Sequence, residues 1–259
     1  MATQLLIYER AVPITRARHG NWSVKTGSDY QFARNVNSVP LMAAEFASAA
    51  AEYPVVFAGS GDNVMPVVLL GVRERQNGYV DESGTWAAKY IPAFVRRYPF
   101  VFSSSQVGDN FTLCIDEEFT GCNTEGRGER LFDSQGERTQ YLQSTLNFLQ
   151  AYQAQFQRTQ AFARQLVELN LLEPMQAQFT MKTGQRGTLG GFLAVSRDRL
   201  KALSGDVLAN LARTDELELI YTHLQSLRNF TPMVERTEAN EPAVSAASDA
   251  APTELAEAE

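Results

Sequence analysis

The sequence is poor in the residues that most often build metal sites and nucleophilic active sites. It has two histidines and two cysteines in 259 residues. Cys114 and Cys122 have seven residues between them and no histidine nearby, whereas zinc sites use closer pairs and four ligands. Two thiols in a chain of this length indicate a reducing compartment rather than a disulfide framework. We therefore predict no metal site and no cofactor.

Long apolar runs are also missing. The longest mainly apolar run, residues 64–72, is about half the roughly 20 residues that a bilayer-spanning helix needs. The apolar cluster at residues 5–8 has no basic segment before it and is followed at once by Glu9 and Arg10, which does not match a signal peptide. We expect a water-soluble, cytoplasmic protein without a membrane span.

A positive charge excess is absent as well. The net charge is −7, and residues 237–259 contain six acids and no Lys or Arg, so subtracting the tail leaves −1 for residues 1–236. A nearly neutral body does not favour nucleic acid as a partner. The tail composition of Ala, Glu, Ser and Pro cannot form a core. The sequence thus predicts a single body over residues 1–236 and a disordered acidic tail over residues 237–259.

The most informative stretch that is present is the run from Tyr90 to Phe102. It combines a proline-initiated helical turn, two arginines, a Tyr-Pro junction and an apolar strand. Upstream, Pro40 is suited to the first turn of a helix over residues 41–52, and Pro54 ends that helix. Apolar residues then predict strands over residues 55–58 and 64–72. Aromatic residues between 22 and 32 are spaced as in an edge strand, over too short a length to assign.

Parts of this pattern occur twice. Tyr98-Pro99 matches Tyr53-Pro54, and the turn at residues 133–136 resembles the turn at residues 81–84. The hypothesis is an internal duplication of a helix–strand–strand–strand unit over about residues 39–90 and 91–138. The alternative is two unrelated hairpins with convergent turn chemistry. In either case the sequence predicts an α+β fold with short, mostly antiparallel strands.

The C-terminal part is predicted to be mainly helical. Apolar residues at helical spacing predict a long helix over residues 139–170, with a break near Arg158 and Thr159, and Glu173-Pro174 ends it. A hairpin and helices are predicted over residues 177–230. Their predicted bounds are strands at 178–181 and 191–195 and helices at 197–203, 206–212 and 215–229, with Ser196, Ser204 and Thr214 as N-caps.

The strongest cluster of chemically active residues is Asp116-Glu117-Glu118, directly after a predicted strand. Acids at a strand end can bind a metal or transfer protons. Strand alternation predicts Asp116 and Glu118 on one face and Glu117 on the other. The favoured alternative is a structural ion pair with Arg96 or Arg97.

Arg96 and Arg97 could clamp a carboxylate or phosphate, or they could neutralise acids and carbonyls at a helix end, which is the favoured reading. The candidate ligand-binding residues are therefore Arg96, Arg97, Asp116 and Glu117, and no catalytic residue is assigned. His19, in a predicted loop, and His223, on a predicted helix, are read as packed or surface residues. The glycine-rich segments at residues 59–61 and 184–191 lack a P-loop signature and are read as hairpin turns.

Several of these motifs together resemble the SapC family of bacterial proteins. They are Val39-Pro40-Leu41, Glu52 to Phe57, Tyr90 to Phe100, Leu113 to Glu117 and Leu224 to Asn229. The resemblance covers roughly residues 5–230. It implies an association with surface-layer and peptide-resistance contexts and a functional link to TonB-dependent receptors or flavin halogenase-like proteins. The family label is sometimes expanded to a peptide-transport permease, which disagrees with the absence of a spanning run. The resemblance supplies no catalytic residues.

Function is expected to follow one of three hypotheses. The leading one is a non-enzymatic accessory module that binds a protein, peptide or small molecule for a bacterial surface or uptake system. The alternative is an enzyme or enzyme subunit that acts on a peptide or amino acid through Asp116, Glu117 and the two arginines. A cleft that contains these groups would favour the enzyme. The third hypothesis is a structural protein associated with the surface layer.

Overall fold

The computed structural model describes residues 6–27, 29–104, 111–182, 184 and 186–239. Within them, antiparallel sheets are followed by a helical C-terminal region, which confirms the predicted α+β class. None of the described helices combines the length and the apolar character of a membrane-spanning segment.

The N-terminal half consists of short elements. In chain order they are β1 (Ala11–Pro13), α1 (Arg16–His19), β2 (Ser23–Val24), β3 (Ser38–Pro40), α2 (Phe46–Ala49), β4 (Val55–Ala58), β5 (Met65–Leu69), α3 (Ala93–Arg96), β6 (Phe100–Ser104), β7 (Phe111–Asp116), β8 (Cys122–Asn123) and β9 (Glu129–Arg130). The C-terminal elements are α4 (Gln140–Glu168), β10 (Leu172–Thr180), β11 (Arg186–Val195), α5 (Arg197–Lys201), α6 (Gly205–Arg213), α7 (Glu216–Ser226) and α8 (Phe230–Ala239).

Among the described residues the strands form sheets in the orders β1-β7-β6, β10-β11-β4-β5-β3 and β8-β2-β9. We use "first unit" for β3, β4, β5 and the turn at residues 81–84, and "second unit" for β1, β6, β7 and the turn at residues 133–136. In each unit a hairpin is flanked by a third strand on the same side, β3 against β5 and β1 against β7. The flanking strand of the second unit lies outside the predicted repeat, because it comes from residues 11–13.

Backbone hydrogen bonds recur at equivalent positions of the two units. In the first unit the N–H groups of Leu69, Leu70 and Leu41 donate to the carbonyls of Pro54 (3.0 Å), Asn37 (2.7 Å) and Pro66 (3.0 Å), in that order. In the second unit the N–H groups of Asp116, Glu117 and Ile14 donate to the carbonyls of Pro99 (2.9 Å), Arg10 (3.1 Å) and Leu113 (2.9 Å). The predicted third strand of each unit is a bridged pair, Val80–Trp86 and Phe132–Arg138. These matches support the duplication, which stays a hypothesis of common origin.

The helix predicted over residues 41–52 is much shorter than expected. Pro40 is the last residue of β3, where it pairs with Val67, and α2 covers only Phe46–Ala49 after a 3₁₀ turn at Ala43–Glu45. The buried carboxylate of Glu45 accepts hydrogen bonds from the N–H of Met42 and of Ala93 (2.9 and 2.7 Å). It therefore ties this turn to the start of α3, and these tertiary contacts override the local helix propensity of the alanines.

Helix α4 is continuous, so the break predicted near Arg158 is wrong. Thr139 caps its N-terminus by accepting from the N–H of Leu142. At the expected break, the Thr159 hydroxyl donates to the carbonyl of Gln155 (2.7 Å) and accepts from the N–H of Ala43 (2.8 Å). The threonine thus joins α4 to the first unit without interrupting the helix.

The C-terminal hairpin is longer than predicted. Glu173-Pro174 was expected to end a helix but lies in β10, an edge strand, where a missing N–H is tolerated. Residues 183 and 185 of its glycine-rich turn lie outside the described residues. Thr214 is not an N-cap: it follows α6, and Asp215 precedes α7 in a left-handed conformation with φ of 61°.

The boundary predicted at residue 236 falls inside α8, which continues to Ala239, and Thr237 is fully buried. The remainder of the predicted tail lies outside the described residues.

Two hydrophobic clusters lie under these elements. The larger one lies beneath the first unit, α4 and the C-terminal helices, with Tyr53, Phe57, Phe94 and Ile220 among its members. The smaller one joins the second unit to the N-terminal part of α4; its buried residues are Val24, Phe100, Ile115, Leu131, Phe132, Leu142 and Leu149.

Candidate functional site

Asp116 is the last residue of β7 and its side chain is fully buried. One carboxylate oxygen accepts from the N–H of Arg10 (3.0 Å) and of Glu118 (3.2 Å). The other accepts from the N–H of Glu9 (2.8 Å) and from the hydroxyl of Tyr98 (3.3 Å). A buried carboxylate needs such donors to offset its lost hydration. Asp116 therefore fastens the segment before β1 to the end of β7.

Glu117 is the centre of an ion-pair cluster beside Asp116. Its side chain is 6% exposed, and it pairs with Arg10 (Nη2 at 2.9 Å) and with both Nε and Nη2 of Arg18, the latter at 2.6 Å. The hydrogen bond from Arg18 is the main reason that the pKa of Glu117 lies below its ordinary value. The carboxylate is thus ionised and fully engaged at neutral pH.

The buried ring of His19 completes this cluster. Its Nδ1 accepts the N–H of Thr15 (3.2 Å), and its Nε2 lies 3.1 Å from the Glu117 carboxylate. A nitrogen that accepts a backbone N–H carries no proton, so the proton belongs on Nε2 and is donated to Glu117. His19 was predicted in a loop but lies in α1, and it packs at 4.9 Å against Trp22.

Two predictions about the acids are therefore wrong. Glu117 and Glu118 do not pair with Arg96 or Arg97 as favoured from the sequence; their partners are Arg10 and Arg18. The alternation argument also fails, because β7 ends at Asp116 and the next two residues form a turn. The side chains of Asp116 and Glu117 are both buried, while Glu118 is exposed.

Arg97 is a buried arginine at the end of α3 and is 3% exposed. Its guanidinium lies over the rings of Phe94 (4.4 Å), Tyr152 (4.8 Å) and Tyr8 (5.6 Å). Burial raises the pKa of Tyr8 above its ordinary value, and the arginine partly opposes this effect. A guanidinium held between aromatic faces is stabilised by cation–π attraction, so Arg97 joins α3 to α4.

Arg96 has a different environment, because its side chain is exposed. Its Nε donates to the carbonyl of Ile91 (2.9 Å), and its guanidinium lies 5.5 Å from the ring of Phe148 and 5.8 Å from that of Tyr90. These contacts fix the direction of the side chain while the charge stays accessible. Arg96 is thus the better placed of the two arginines to bind an anionic group.

Both arginines line a cleft of about 450 Å³ between α3, α4 and residues 26–27 and 29–32. Its other walls are mainly aromatic: Tyr30, Phe32, Tyr98, Phe100, Phe119, Tyr141 and Phe148. The rings of Phe32 and Tyr98 stack at 4.0 Å, and Phe119 packs edge-on against Tyr98 at 5.2 Å. Asp29 also lines the cleft, and its carboxylate accepts from the N–H of Gln31 (3.0 Å). We call this the aromatic cleft.

The four predicted site residues therefore divide between two places. Arg96 and Arg97 line the aromatic cleft, whereas Asp116 and Glu117 are not among the described residues of its lining. Tyr98 links the two places, since its ring lines the cleft and its hydroxyl contacts Asp116. The spacing of Tyr30 and Phe32 resembles an edge strand over too short a length to assign, and Phe119 lies in no predicted element, so the sequence analysis does not predict the cleft.

A comparison with protein families gives one match. The SapC family model matches residues 14–233, which include both arginines, both acids and the aromatic cleft. The chain belongs to the SapC family. Comparisons with curated proteins and with solved structures found no match. Membership in SapC confirms the resemblance but assigns no chemistry to the cleft.

His223 of this SapC family member has a structural role. His223 is buried against β4 and β11: its Nε2 accepts the N–H of Val195 (3.0 Å) and its Nδ1 donates to the carbonyl of Val55 (2.7 Å). Burial lowers its pKa to about 4. Burial likewise raises the pKa of the Cys114 thiol, and it raises that of Cys122 to about 12. Among the described residues, no group of His, Cys, Asp and Glu is arranged to hold a metal.

Proposed function

We propose that this SapC family protein is a non-enzymatic binding module and that the aromatic cleft is its ligand site. The ligand is a peptide or small molecule that presents an aromatic or bulky apolar group beside a carboxylate. One observation carries the proposal: an aromatic cleft of about 450 Å³ has an exposed, oriented guanidinium, that of Arg96, among its lining residues.

The lining supports this class of ligand. Aromatic faces provide large apolar contact areas and favour stacking or edge-on packing with another ring. An arginine beside them binds a carboxylate through paired N–H donors. Concave sites with mainly apolar walls and a few oriented polar groups are typical of small-molecule and peptide sites. The volume suits one aromatic residue with its carboxylate.

The position of the acids supports binding rather than catalysis. The enzyme hypothesis requires Asp116 and Glu117 to face a substrate beside the two arginines. Instead, the carboxylate of Asp116 accepts backbone N–H groups, and that of Glu117 is engaged by Arg10, Arg18 and His19. Proton transfer needs a group whose hydrogen bonds are available to the substrate.

We further propose that the module acts in the cytoplasm as an accessory of a bacterial surface or uptake system. This setting rests on the contexts that the family name implies. The aromatic walls and the Arg96 guanidinium of the cleft suit a peptide partner whose C-terminal residue presents a free carboxylate.

Isothermal titration with N-acetyl-L-phenylalanine tests the proposal, with N-acetyl-L-phenylalaninamide as the probe that lacks the carboxylate. The acid is expected to bind at least tenfold more tightly than the amide, since a charge-assisted hydrogen bond contributes about 1.5–3 kcal/mol. Arg96→Gln should remove this preference, and Arg213→Gln, an exposed arginine on α6, should keep it. Equal binding of both probes, or binding of neither, would refute the proposed ligand class.

A further inference from the structure

Another concave surface lies beside α1. It is a groove of about 440 Å³ between α1, the loop that follows it, β9 and the turn at residues 133–136. Its chemically relevant lining residues are Arg16, Arg18, Trp22, Arg130, Asp133 and Ser134. We call it the arginine groove. None of these residues is among the described residues that line the aromatic cleft.

The arginine groove is a local concentration of positive charge in an acidic protein. Three arginines and one aspartate line it, whereas the whole chain has a net charge of −7. The carboxylate of Asp133 accepts the N–H groups of Gln135 and Glu137 in its own turn (both 2.9 Å). Asp133 offsets one of the three arginine charges, so the lining residues keep a positive excess.

The guanidinium of Arg16 lies directly over Gly136. A Cβ built on this glycine would lie 1.9 Å from Cζ of Arg16, so the guanidinium occupies the space that any side chain would fill. Gly136 has a φ of +83°, a conformation that favours glycine. Because position 136 is a glycine, the turn leaves room for the guanidinium against its backbone.

Arg18 is oriented by the ion-pair cluster. Its Nε and Nη2 donate to Glu117, while its side chain is 51% exposed. A guanidinium has five N–H groups, so those that do not face Glu117 can serve a ligand. The buried carboxylate of Glu117, held by His19 and Arg10, acts as the anchor that sets this orientation.

We propose that the arginine groove binds the phosphate group of a small molecule. Three guanidinium groups supply more donors than the two oxygens of a carboxylate can accept, and a phosphate has the oxygens and the double charge to use them. Hydroxyl and amide groups of Ser134 and Asn21 and the indole of Trp22 complete the lining. This site is independent of the proposed function, because it uses neither Arg96 nor the aromatic cleft.

Trp22 provides a direct signal for binding, since it lines the groove and the second tryptophan of the sequence, Trp86, is buried in the larger hydrophobic cluster. The experiment titrates the full chain with inorganic phosphate, pyrophosphate and glycerol 3-phosphate, followed by tryptophan fluorescence and by isothermal titration. We expect saturable binding with a fluorescence change that is lost in Trp22→Phe. Tighter binding of glycerol 3-phosphate than of phosphate would identify a phosphoester ligand, and tighter binding of pyrophosphate an inorganic one; both support the site.

Matched variants test whether the groove itself binds the probe. Arg16→Gln and Arg130→Gln should each weaken binding at least fivefold, and both residues are exposed, so the fold should persist. Arg213→Gln on α6 should stay within twofold of the wild type. Equal weakening by all three variants would indicate nonspecific charge screening, and absence of saturable heat and fluorescence changes would indicate no site. Either result overturns the proposal.

Discussion

The two units have the same arrangement of backbone hydrogen bonds, but at two consecutive positions one has apolar side chains and the other has acids. The register of the strands places Leu69 and Leu70 of the first unit where the second unit has Asp116 and Glu117. The leucines are buried, at 6% and 0% exposed, and need no partners beyond apolar neighbours. The acids occupy the same backbone positions but are held by the hydrogen bonds and ion pairs described above.

This difference separates what the architecture requires from what the second unit adds. In the first unit two leucines occupy these positions and the same backbone hydrogen bonds form. The arrangement of a hairpin with a flanking strand therefore does not require acids. In the second unit each buried acid instead needs a set of donors, which come from the segment around β1 and from α1. The acids therefore couple the N-terminal segment to the second unit and orient Arg18 toward the arginine groove.

The largest expected effect is that of removing the charge of Asp116. Asp116→Asn replaces one acceptor oxygen by an NH₂ group, which in either orientation of the amide faces a backbone N–H, that of Glu9 or those of Arg10 and Glu118. A buried donor left without an acceptor in this way should lower the free energy of unfolding by about 3–5 kcal/mol. Urea denaturation measures it. The control Glu118→Gln, at an exposed position two residues later, should change stability by less than about 0.5 kcal/mol.

The two units should also respond to acid in different pH ranges. The pKa of His223, buried against β4 of the first unit, falls from 6.5 when unfolded to about 4 when folded. Its contribution is complete above pH 6.5 and is lost as the pH falls toward 4, by about 3 kcal/mol. The pKa of Glu117 is lowered from 4.5, so its contribution is present above pH 4.5 and is lost below it.

Unfolding free energies between pH 3 and 8 test this difference. His223→Gln should flatten the profile between pH 4 and 6.5 and leave the slope below pH 4.5. A profile that is unchanged in His223→Gln would show that this histidine does not control the upper range.

Glu117→Gln is expected to have a smaller effect than Asp116→Asn, because Arg10 and Arg18 are about half exposed and can regain hydration. The amide group would face donors from one of the arginines or from His19, and we expect a loss of about 2 kcal/mol. Thermal unfolding measures it. Glu125→Gln, which breaks an exposed pair with Arg127, should cost less than about 0.5 kcal/mol. Equal losses would contradict the structural role of Glu117.

The smallest contrast concerns the two arginines at the C-terminal end of α3, Arg96 and Arg97. Arg97→Lys should lower stability by about 1–2 kcal/mol, because an ammonium cannot stack on the rings of Phe94 and Tyr152. Arg96→Lys should stay within about 0.5 kcal/mol, since that side chain is exposed. Urea denaturation measures the loss in free energy of unfolding for both variants. A larger loss for Arg96→Lys than for Arg97→Lys would mean that Arg96, not Arg97, secures α3 to α4.

The sequence predicted what short-range signals encode. Strand β4 is at the predicted residues, and α4 follows from the spacing of its apolar residues. The Asp-x-x-Gly turns of the two units were recognised by their composition. In both turns the aspartate accepts backbone N–H groups and the glycine has a φ near +84°. These features depend on neighbours within a few residues.

Contacts between distant residues were not encoded in any local pattern. β1 pairs with β7 across about one hundred residues, and this pairing brings Arg10 and Arg18 to Glu117. The sequence analysis instead favours Arg96 and Arg97 as partners, because nothing local indicates the pairing of β1 with β7. The sequence analysis does not predict the aromatic cleft for the same reason, because its walls come from separate parts of the chain: residues 26–27 and 29–32, α3, β6, Phe119 and α4.

The affinity of Glu117→Gln for N-acetyl-L-phenylalanine, at neutral pH and a temperature where the variant is folded, tests the central claim most directly. If the acids hold the second unit together and the aromatic cleft binds the ligand, the variant should melt at a lower temperature and bind within twofold of the wild type. Loss of binding with unchanged stability would contradict this account and would place Glu117 in the binding site.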